Sequence, residues 1–545
     1  MPQEMEKKEE EEQKKMKIAI IGGGVSGLSA LWVLNEYTAH EVHIYEKDSW
    51  WGGHAHTVGF QQPGKEPCQI DTAFIAINAK NYPNFHRFIT TTSHAVDLIT
   101  TTMSFSLSRD GGAFEWASTG FWGLFCQGVN LFKPRVYRMM WDIFRFHIFA
   151  KDFLSSPPSS SAADEGMSIG EYLDREQYSQ AFKEDYLLPL TAGIWSIPPD
   201  KVALDFPALA LIRFFHNHQM LQLWGRPAWL TVKGGSARYV DKIIGSIAAK
   251  GAREGSGEGE GEGKGEGRER LHLGEGVQRV VPRGDGRFGV VERGGEEVVY
   301  DKVILATHTD QAVQLLGEDI SEEEKEVLGG CEWSPNEAVV HYDEALMPVR
   351  KSAWTAWNYL TSTTNAVMPG HESKTTASDV STISITFDLN VLQSLPVAKH
   401  GHIFVTLNPP TQPSPSKTLS RWVYHHPLLT PSLHAAQKRL PSIQGVRGLY
   451  FAGAWTGYGF HEDGWRTGME IAYRPEFGIP NSKRPWEIVK VDGRDIKREA
   501  GEWLLRPLVG GMDSAFKGFA GWMWWSAGMY VSVIHRLFGV KMKSA

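Results

Sequence analysis

The sequence predicts an α/β protein built on a Rossmann-like dinucleotide-binding unit, and three consecutive segments near its start support that prediction. An apolar strand, Ile18–Ile21, runs directly into Gly22-x-Gly24-x-x-Gly27. A helical pattern follows from Leu28 to Tyr37, and a second strand spans Glu41–Glu46. A strand, a glycine-rich turn, a helix and a second strand within about 30 residues form a βαβ unit.

The glycine motif is suited to binding a pyrophosphate. Glycine lets the chain turn tightly and brings backbone N–H groups at a helix N-terminus close to phosphate oxygens. The alternative is a glycine-rich loop that binds nothing, but the strands on both sides favour the binding motif. We therefore assign to a cofactor site the residues Gly22, Gly24, Val25, Ser26 and Gly27.

The end of the second strand carries further cofactor candidates. Glu46 follows Gly27 by 19 positions, where a carboxylate can accept hydrogen bonds from an adenosine ribose. A glycine pair then allows another close approach of backbone to a large cofactor. The candidates in this segment are Glu46, Lys47, Gly52, Gly53 and His54.

The rest of the chain alternates between helical and strand-rich segments. Tyr178–Gln222 is helical and aromatic, whereas Leu271–Leu305 reads as short strands with turns. Further strands are predicted at Glu337–Tyr342, Ser381–Leu389, His402–Leu407 and Gly448–Gly453.

Composition limits the classes of function. The chain has 545 residues, 42% hydrophobic and 22% charged, which suits a globular protein of two or more domains. A net charge of -7 argues against a nucleic-acid partner. The cysteines Cys68, Cys126 and Cys331 have neither paired nor metal-ligand spacing. We therefore expect reduced thiols, no metal site and a cytoplasmic protein.

Later segments establish a resemblance to a known family. Val232-Lys-Gly-Gly235 precedes Gly276-Val277-Gln-Arg-Val280, and Leu449-Tyr-Phe-Ala-Gly453 precedes Asp463-Gly-Trp-Arg-Thr-Gly468. Together with the first glycine motif, these blocks resemble the flavin-containing amine oxidase, protoporphyrinogen oxidase and phytoene desaturase superfamily. The resemblance covers Lys17 to about Ala472 and implies FAD as the cofactor.

Within that superfamily, the chain is most similar to a subgroup of predicted NAD/FAD-binding proteins. The similarity lies in Gly53-His54-x-His56-Thr57, Thr231–Gly235 and Ala452–Gly464. Members of this subgroup often accompany cyclopropane-fatty-acid synthases, which implies a lipid substrate by association.

The resemblance also implies roles for individual residues. The backbone of Val277 would meet the adenine. Gly453, Asp463, Gly464 and Trp465 would end the flavin site, where a helix N-terminus stabilises the negative charge of reduced flavin. We expect noncovalent FAD, and a covalent link through His54 or His56 is the alternative.

One departure from the family bears on the reaction. Many amine oxidases place a lysine near flavin N5, but the strand that looks equivalent, Asn336–Tyr342, has none. This absence disfavours amine oxidation. Tyr458 and His461 lie in the segment that faces the flavin in the family, so they are our candidates for acid–base catalysis. The alternative is that both side chains only form the pocket wall.

The motifs divide the chain into a discontinuous Rossmann-like FAD-binding domain with an interleaved α+β substrate domain. We predict FAD-binding parts at residues 17–80, 226–330 and 441–475, and substrate-domain parts at 81–225 and 331–440. Residues 1–16 are a disordered leader, 251–268 a Gly/Glu low-complexity loop, and 476–545 a C-terminal helical tail.

The tail has the composition of a membrane-surface segment. Gly518–Ile534 carries no formal charge and includes three tryptophans, and basic residues follow it. We expect peripheral contact with an intracellular membrane through residues 516–543. A helix packed back on the protein, or a dimer contact, is the alternative.

Three functions are compatible with these features. The first is an FAD-dependent oxidoreductase that moves a hydride between flavin N5 and a hydrophobic substrate, a fatty-acyl or other lipid chain, by dehydrogenation, desaturation or double-bond isomerisation. The second is a flavin amine or polyamine oxidase. The third is a non-catalytic flavin-binding partner of a lipid-modifying enzyme.

Overall fold

A computed structural model describes residues 15–155, 167–195, 204, 206–224, 227–254, 270–363, 380–491, 502 and 504–515. The strands are β1 (Lys17–Ile21), β2 (Glu41–Glu46), β3 (Thr57–Phe60), β4 (Cys68–Asp71), β5 (Leu98–Thr101), β6 (Phe105–Arg109), β7 (Phe114–Ala117), β8 (Trp229–Val232), β9 (Leu271–Leu273), β10 (Val277–Pro282), β11 (Phe288–Glu292), β12 (Glu297–Tyr300), β13 (Lys302–Leu305), β14 (Trp333–His341), β15 (Trp357–Thr363), β16 (Val380–Asp388), β17 (Phe404–Leu407), β18 (Thr418–Pro427) and β19 (Leu449–Phe451).

The α-helices are α1 (Val25–Tyr37), α2 (Pro83–Thr91), α3 (Phe121–Leu124), α4 (Pro134–Ser155), α5 (Ile169–Arg175), α6 (Gln180–Phe182), α7 (Leu188–Trp195), α8 (Ala208–Asn217), α9 (Ala237–Glu254), α10 (Thr309–Leu316), α11 (Glu322–Gly329), α12 (Leu389–Leu392), α13 (Val397–His400), α14 (Pro431–Arg439) and α15 (His461–Ala472). A π-helical turn, Lys183–Leu187, joins α6 to α7. Residues 504–515 are also helical.

A five-stranded parallel sheet forms the centre of the dinucleotide-binding unit. Its order is β19-β13-β1-β2-β9, so neighbouring strands come from three distant parts of the sequence. Strands covered on both faces are apolar along their length, and β1 is buried from Ile18 to Ile21. This sheet confirms the predicted discontinuous Rossmann-like fold.

Helices α1 and α15 pack against each other with little side-chain volume between them. A Cβ on Gly468 would lie 2.1 Å from Ser29 Oγ, and one on Gly464 would lie 2.6 Å from Val25 Cγ1. Ser29 Oγ also donates a hydrogen bond to the Trp465 carbonyl at 2.6 Å. The contact therefore fixes the position of α15 relative to the glycine-rich turn.

The second large sheet has seven strands of mixed direction, in the order β18-β14-β17-β16-β15-β6-β7. Its apolar face and helices α4 to α8 share one hydrophobic core. Helix α7 approaches β15 so closely that a Cβ on Gly193 would overlap the ring of Tyr359, at 2.0 Å.

The segment after α15 begins by returning to the dinucleotide-binding unit. Phe477 and Trp486 are buried, and the Trp486 ring lies 5.6 Å from that of Trp32 in α1. In the described ranges, no helix is both long and apolar enough to cross a membrane. The predicted leader up to residue 14, most of the low-complexity loop and the predicted membrane segment 516–543 lie outside the described residues.

Candidate active site

A cavity of about 1230 Å³ lies between the five-stranded and the seven-stranded sheet. Sites for small ligands commonly enclose roughly 300–1,000 Å³, so this cavity has room for a large cofactor and a substrate together. Its wall takes residues from β1, β2, β10, β18 and the start of α15, among other elements.

One part of the cavity wall is made of bare backbone. Gly22 has φ +111°, and a Cβ there would lie 2.5 Å from the Ala306 carbonyl oxygen. The Gly52 N–H donates to the Gly23 carbonyl at 2.9 Å, which places the two glycine-rich turns side by side. Gly24 caps α1, whose first turn has no acidic residue. This open helix N-terminus fits a pyrophosphate.

Glu46 lies beside that turn and is held by two backbone donors. Its carboxylate accepts the Gly23 N–H at 2.9 Å and the Asp48 N–H at 2.8 Å. Burial raises the pKa of the Glu46 carboxyl, and the two N–H groups oppose that shift. Val277 also lines this end of the cavity. The arrangement fits the adenosine end of FAD, with free lone pairs of Glu46 available to a ribose.

The structure brings most of the predicted cofactor residues together in the cavity wall. These are Gly22, Gly24, Val25, Ser26, Glu46, Lys47, Gly52, Gly53, His54, Val277 and Gly453. Four predicted residues do not line it: Gly27, Asp463, Gly464 and Trp465.

Those four residues lie next to the cavity wall, in packing contacts and in the turn before α15. A Cβ on Gly27 would lie 2.0 Å from the Gly22 carbonyl oxygen, so this glycine permits close helix–strand packing. Gly464 permits the contact with α1 described above. Trp465 is fully buried beside the ring of Phe88, at 4.2 Å. Asp463 accepts the N–H groups of Tyr458 and Phe460 at 3.0 and 3.1 Å, which holds the turn before α15.

Both predicted catalytic residues lie in the cavity wall. His461 stacks on Phe74 with the ring centres 3.7 Å apart, and its Nε2 lies 2.8 Å from the Tyr239 hydroxyl. Burial, and then the neighbouring His54, lower the pKa of His461 well below its usual value, so the ring is neutral at neutral pH. Burial raises the pKa of Tyr458 to about 12, so its hydroxyl keeps its proton.

His54 was predicted from the sequence, but the three histidines near it in the cavity wall, His308, His425 and His426, were not. His426 lies 5.4 Å from His54 and His308 lies 6.0 Å from His425, measured between ring centres. Burial lowers the pKa of His54 to about 4, and those of His308 and His426 to about 3. The neighbouring pair His425-His426 was the one sequence signal, and no motif accompanied it.

The wall near the seven-stranded sheet is largely apolar and aromatic. It includes Phe105, Trp116, Ile143, Tyr186, Leu190, Phe214, Met220, Trp357, Phe387, Leu392 and Leu407. The carboxylate residues in the described wall are Glu46, Asp48 and Glu275, and its one lysine is Lys47. Glu46, Lys47 and Asp48 lie at the end of β2, and Glu275 lies two residues before Val277, so these charges belong to the adenosine end of the cavity. The apolar part therefore suits an uncharged, apolar chain.

Strand β18 lines the cavity, whereas the segment Asn336–Tyr342, to which the sequence comparison pointed, does not. None of Asn336–Tyr342 lines the cavity, and the Asn336 side chain instead bonds to Asn408 at 2.7 Å. Strand β18 lines it from Trp422 to Pro427 and has no lysine either. Among the tryptophans of the substrate-domain regions, Trp357 lines the cavity, whereas Trp224 and Trp354 do not. The side chain of Trp195 lies outside the described part of the chain.

His272, Glu275 and Glu292 form a group whose nearest ligand atoms lie within 4.8 Å of one another. His272 already pairs with His43 at 3.1 Å and with Glu275 at 2.8 Å. The group lies at the edge strand β9, where carboxylates and histidine satisfy each other.

Comparison with known proteins supports the fold. A family model described as an NAD(P)-binding Rossmann-like domain matches residues 20–92. No curated protein matches the sequence. Among solved structures, cyclohexylamine oxidase from Brevibacterium oxydans IH-35A is similar at TM-score 0.57 and 14% identity, over 84% of this chain and 98% of that chain.

Two further structures show the same likeness. The fatty acid isomerase from P. acnes that produces CLA is similar at TM-score 0.52 and 11% identity, over 84% of this chain and 98% of that chain. A putative protoporphyrinogen oxidase from Exiguobacterium sp. 255-15 is similar at TM-score 0.51 and 14% identity, over 85% and 99%. At these identities the likeness shows a shared fold alone.

Proposed function

We propose that a chain with this fold and this cavity is an FAD-dependent oxidoreductase acting on a hydrophobic substrate, a fatty-acyl or other lipid chain. The observation that carries the proposal is the cavity itself. At one end it has a cradle formed by the backbone of Gly22, Gly24 and Gly52 beside Glu46, and at the other an apolar, aromatic wall. The substrate class draws further support from the likeness to a fatty acid isomerase, although that likeness concerns the fold.

The residues of the cradle would hold FAD noncovalently, and bound FAD would supply two-electron redox chemistry. Gly22, Gly24 and Gly52 admit the pyrophosphate, and Glu46 binds the ribose. Phe105, Trp357 and Phe387 exclude water and orient an apolar chain. Neutral His54 and His461 add no positive charge to the site, and Tyr458 can donate a hydrogen bond without releasing its proton.

Amine oxidation is less well supported by this site. The described wall has its carboxylates on the nucleotide side, so the apolar wall offers a protonated amine no carboxylate partner. The likeness to cyclohexylamine oxidase supports the fold of such an enzyme, not its substrate.

The test is anaerobic reduction of the FAD-loaded protein, followed through the flavin absorption spectrum. We expect an unsaturated free fatty acid to bleach the long-wavelength band, or to leave it unbleached while mass spectrometry detects a shifted double bond. Bleaching by amines with release of hydrogen peroxide in air would support an amine oxidase instead. A protein that retains FAD but changes neither lipid nor amine would support the non-catalytic role.

We also propose a cytoplasmic location at the surface of an intracellular membrane, through residues 516–543. Support comes from the sequence, where an uncharged segment with Trp522, Trp524 and Trp525 precedes Arg536 and Lys541. Tryptophan favours the water–lipid interface, and basic residues are attracted to anionic lipid.

A further inference from the structure

A second apolar surface lies in the described part of the chain, far from the tail in sequence. We call it the aromatic surface; its exposed members are Phe121, Trp122, Val129, Leu131, Phe132, Tyr137 and Met140. Trp122 is 81% exposed and Phe132 84%. Soluble monomers rarely leave such large apolar groups exposed together unless the surface binds something.

The aromatic surface is held by contacts of its own. The ring of Phe125 lies 4.9 Å from that of Phe121 and 6.2 Å from that of Tyr137. The Tyr137 hydroxyl donates to the Leu131 carbonyl at 2.8 Å, and the Asn130 amide donates to the Glu115 carbonyl at 2.8 Å. Helix α3, the 3-10 turn Gly128–Phe132 and the start of α4 therefore form one preformed surface.

The charged residues within this segment of the sequence have one sign. From Trp116 to Trp141 the sequence contains Lys133, Arg135 and Arg138 and no acidic residue. The flanking carboxylates, Glu115 and Asp142, are fully buried and paired with arginines. Arg135 pairs with Glu184 and Asp185, and Arg138 with Asp142. Lys133 instead lies over the ring of Phe114, at 5.2 Å.

The aromatic surface adjoins the apolar part of the cavity. Ser118 is exposed and also lines the cavity, three residues before Phe121. Helix α4 carries Met140 on the surface and, one turn later, Ile143 in the cavity wall. Because Ser118 is exposed and also lines the cavity, we place the cavity mouth beside the exposed aromatic residues.

We infer that the aromatic surface docks on an anionic lipid bilayer and places this cavity mouth at the lipid interface. Exposed apolar side chains beside basic residues such as Lys133 are typical of a surface that lies in the headgroup region. An apolar substrate then passes from the bilayer into the cavity without crossing water. Docking stands on the surface alone, whereas the entry of substrate rests on the proposed function.

The experiment uses the full-length FAD-loaded protein with two kinds of vesicle, phosphatidylcholine alone and phosphatidylcholine with phosphatidylglycerol. The test variant is Trp122→Ser with Phe132→Ser. The matched control is Val397→Ser with Val446→Ser, which changes two exposed residues outside the surface. We expect the test variant to bind anionic vesicles at least about tenfold more weakly than the wild type, and the control to bind like the wild type.

Hydrogen exchange separates this surface from the tail. We expect anionic vesicles to slow exchange in peptides covering residues 118–141, in addition to any effect beyond residue 515. Unchanged exchange in 118–141, or equal vesicle binding by the test variant, would overturn the inference. The inference would also be overturned if the wild-type protein did not bind vesicles and formed a dimer that the test variant could not form.

Flavin content and thermal unfolding show whether each variant is folded, and neither depends on a substrate. Loss of vesicle binding by a folded test variant supports docking even if no lipid ever reduces the flavin, in which case the proposed function alone fails.

Discussion

Glu46 lies in the cavity wall at the predicted adenosine end of the site. Its carboxylate is fixed by the N–H groups of Gly23 and Asp48, so it faces the cavity already oriented. A preoriented charged acceptor forms strong hydrogen bonds at little entropic cost. The adenosine end of the site is therefore the part most sensitive to a small chemical change.

We expect Glu46→Gln to weaken FAD binding by about tenfold or more, because an amide replaces a charged acceptor. Titration of the apoprotein with FAD, followed by flavin fluorescence, measures the change in Kd. Glu41→Gln, at the other end of β2 and away from the cavity, is the matched control and should bind FAD like the wild type. Equal affinity in the two variants would show that Glu46 does not contact the cofactor.

Cavity residues that belong to one local motif could be predicted from the sequence. Cavity residues that come from distant segments and become neighbours only in the fold could not. Gly22, Glu46 and Gly53 belong to one short segment with a known spacing. His54, His308 and His426 come from three distant segments and become neighbours through strand pairing and the packing of β18 against the cavity. Asp463 was assigned to the cofactor by its motif, and in the structure its carboxylate accepts two N–H groups of the turn before α15.

At the scale of elements, the contact between α1 and α15 links packing to the site. The same two helices carry Val25 and His461 into the cavity wall at their first residues. A change in the distance between α1 and α15 would therefore move the glycine-rich turn relative to His461.

We expect Gly468→Ala to destabilise the protein by about 1–3 kcal/mol, because the added methyl overlaps the Ser29 side chain and the Ser26 backbone. We also expect it to lower FAD retention. Denaturant unfolding and flavin content measure the two effects. The control is Gly245→Ala in α9, where a Cβ would have no neighbour within 4 Å; it should change stability by less than about 1 kcal/mol, in the stabilising direction. Equal stabilities would contradict close packing at Gly468.

The first βαβ unit shows how far local sequence determines an element. The predicted strand Ile18–Ile21 and the observed β1 differ by one residue, because apolar β-branched residues mark a strand buried on both faces. The helix begins at Val25 rather than Leu28, because Gly24 caps it without a polar side chain. Strand β18 was not predicted. Polar residues are interspersed with Trp422 and Tyr424 in its sequence, and turn-forming residues lie next to it.

At the scale of the whole molecule, buried histidines make stability depend on pH. Burial lowers the pKa of His43, His54, His218 and His341 to about 4, and those of His308 and His426 to about 3. The unfolded chain binds protons at these sites near pH 6.5, and the folded chain does not. Stability is therefore complete above about pH 6.5 and is lost as the pH falls toward 4.

Buried carboxyl groups have the opposite effect on stability over part of this pH range. Burial raises the pKa of Asp71 and Asp388 to about 6 and that of Glu462 to about 7, so these groups favour the folded state as the pH falls below those values. Six histidines outnumber three carboxyls, and we expect a net loss of unfolding free energy between pH 7 and pH 5. Denaturant unfolding at both values tests this, and His341→Gln should reduce the loss. A protein more stable at pH 5 would contradict it.

The interleaved strand order β19-β13-β1 has a consequence for biosynthesis. Strand β19 and helix α15 leave the ribosome more than 400 residues after β1, yet they complete the sheet and the wall around the cofactor. At 5–20 residues per second, roughly 20–90 s of translation separate the glycine-rich turn from its final neighbours. The nascent chain must keep an unfinished parallel sheet from aggregating during that interval, so flavin capture is a late event that follows nearly complete synthesis.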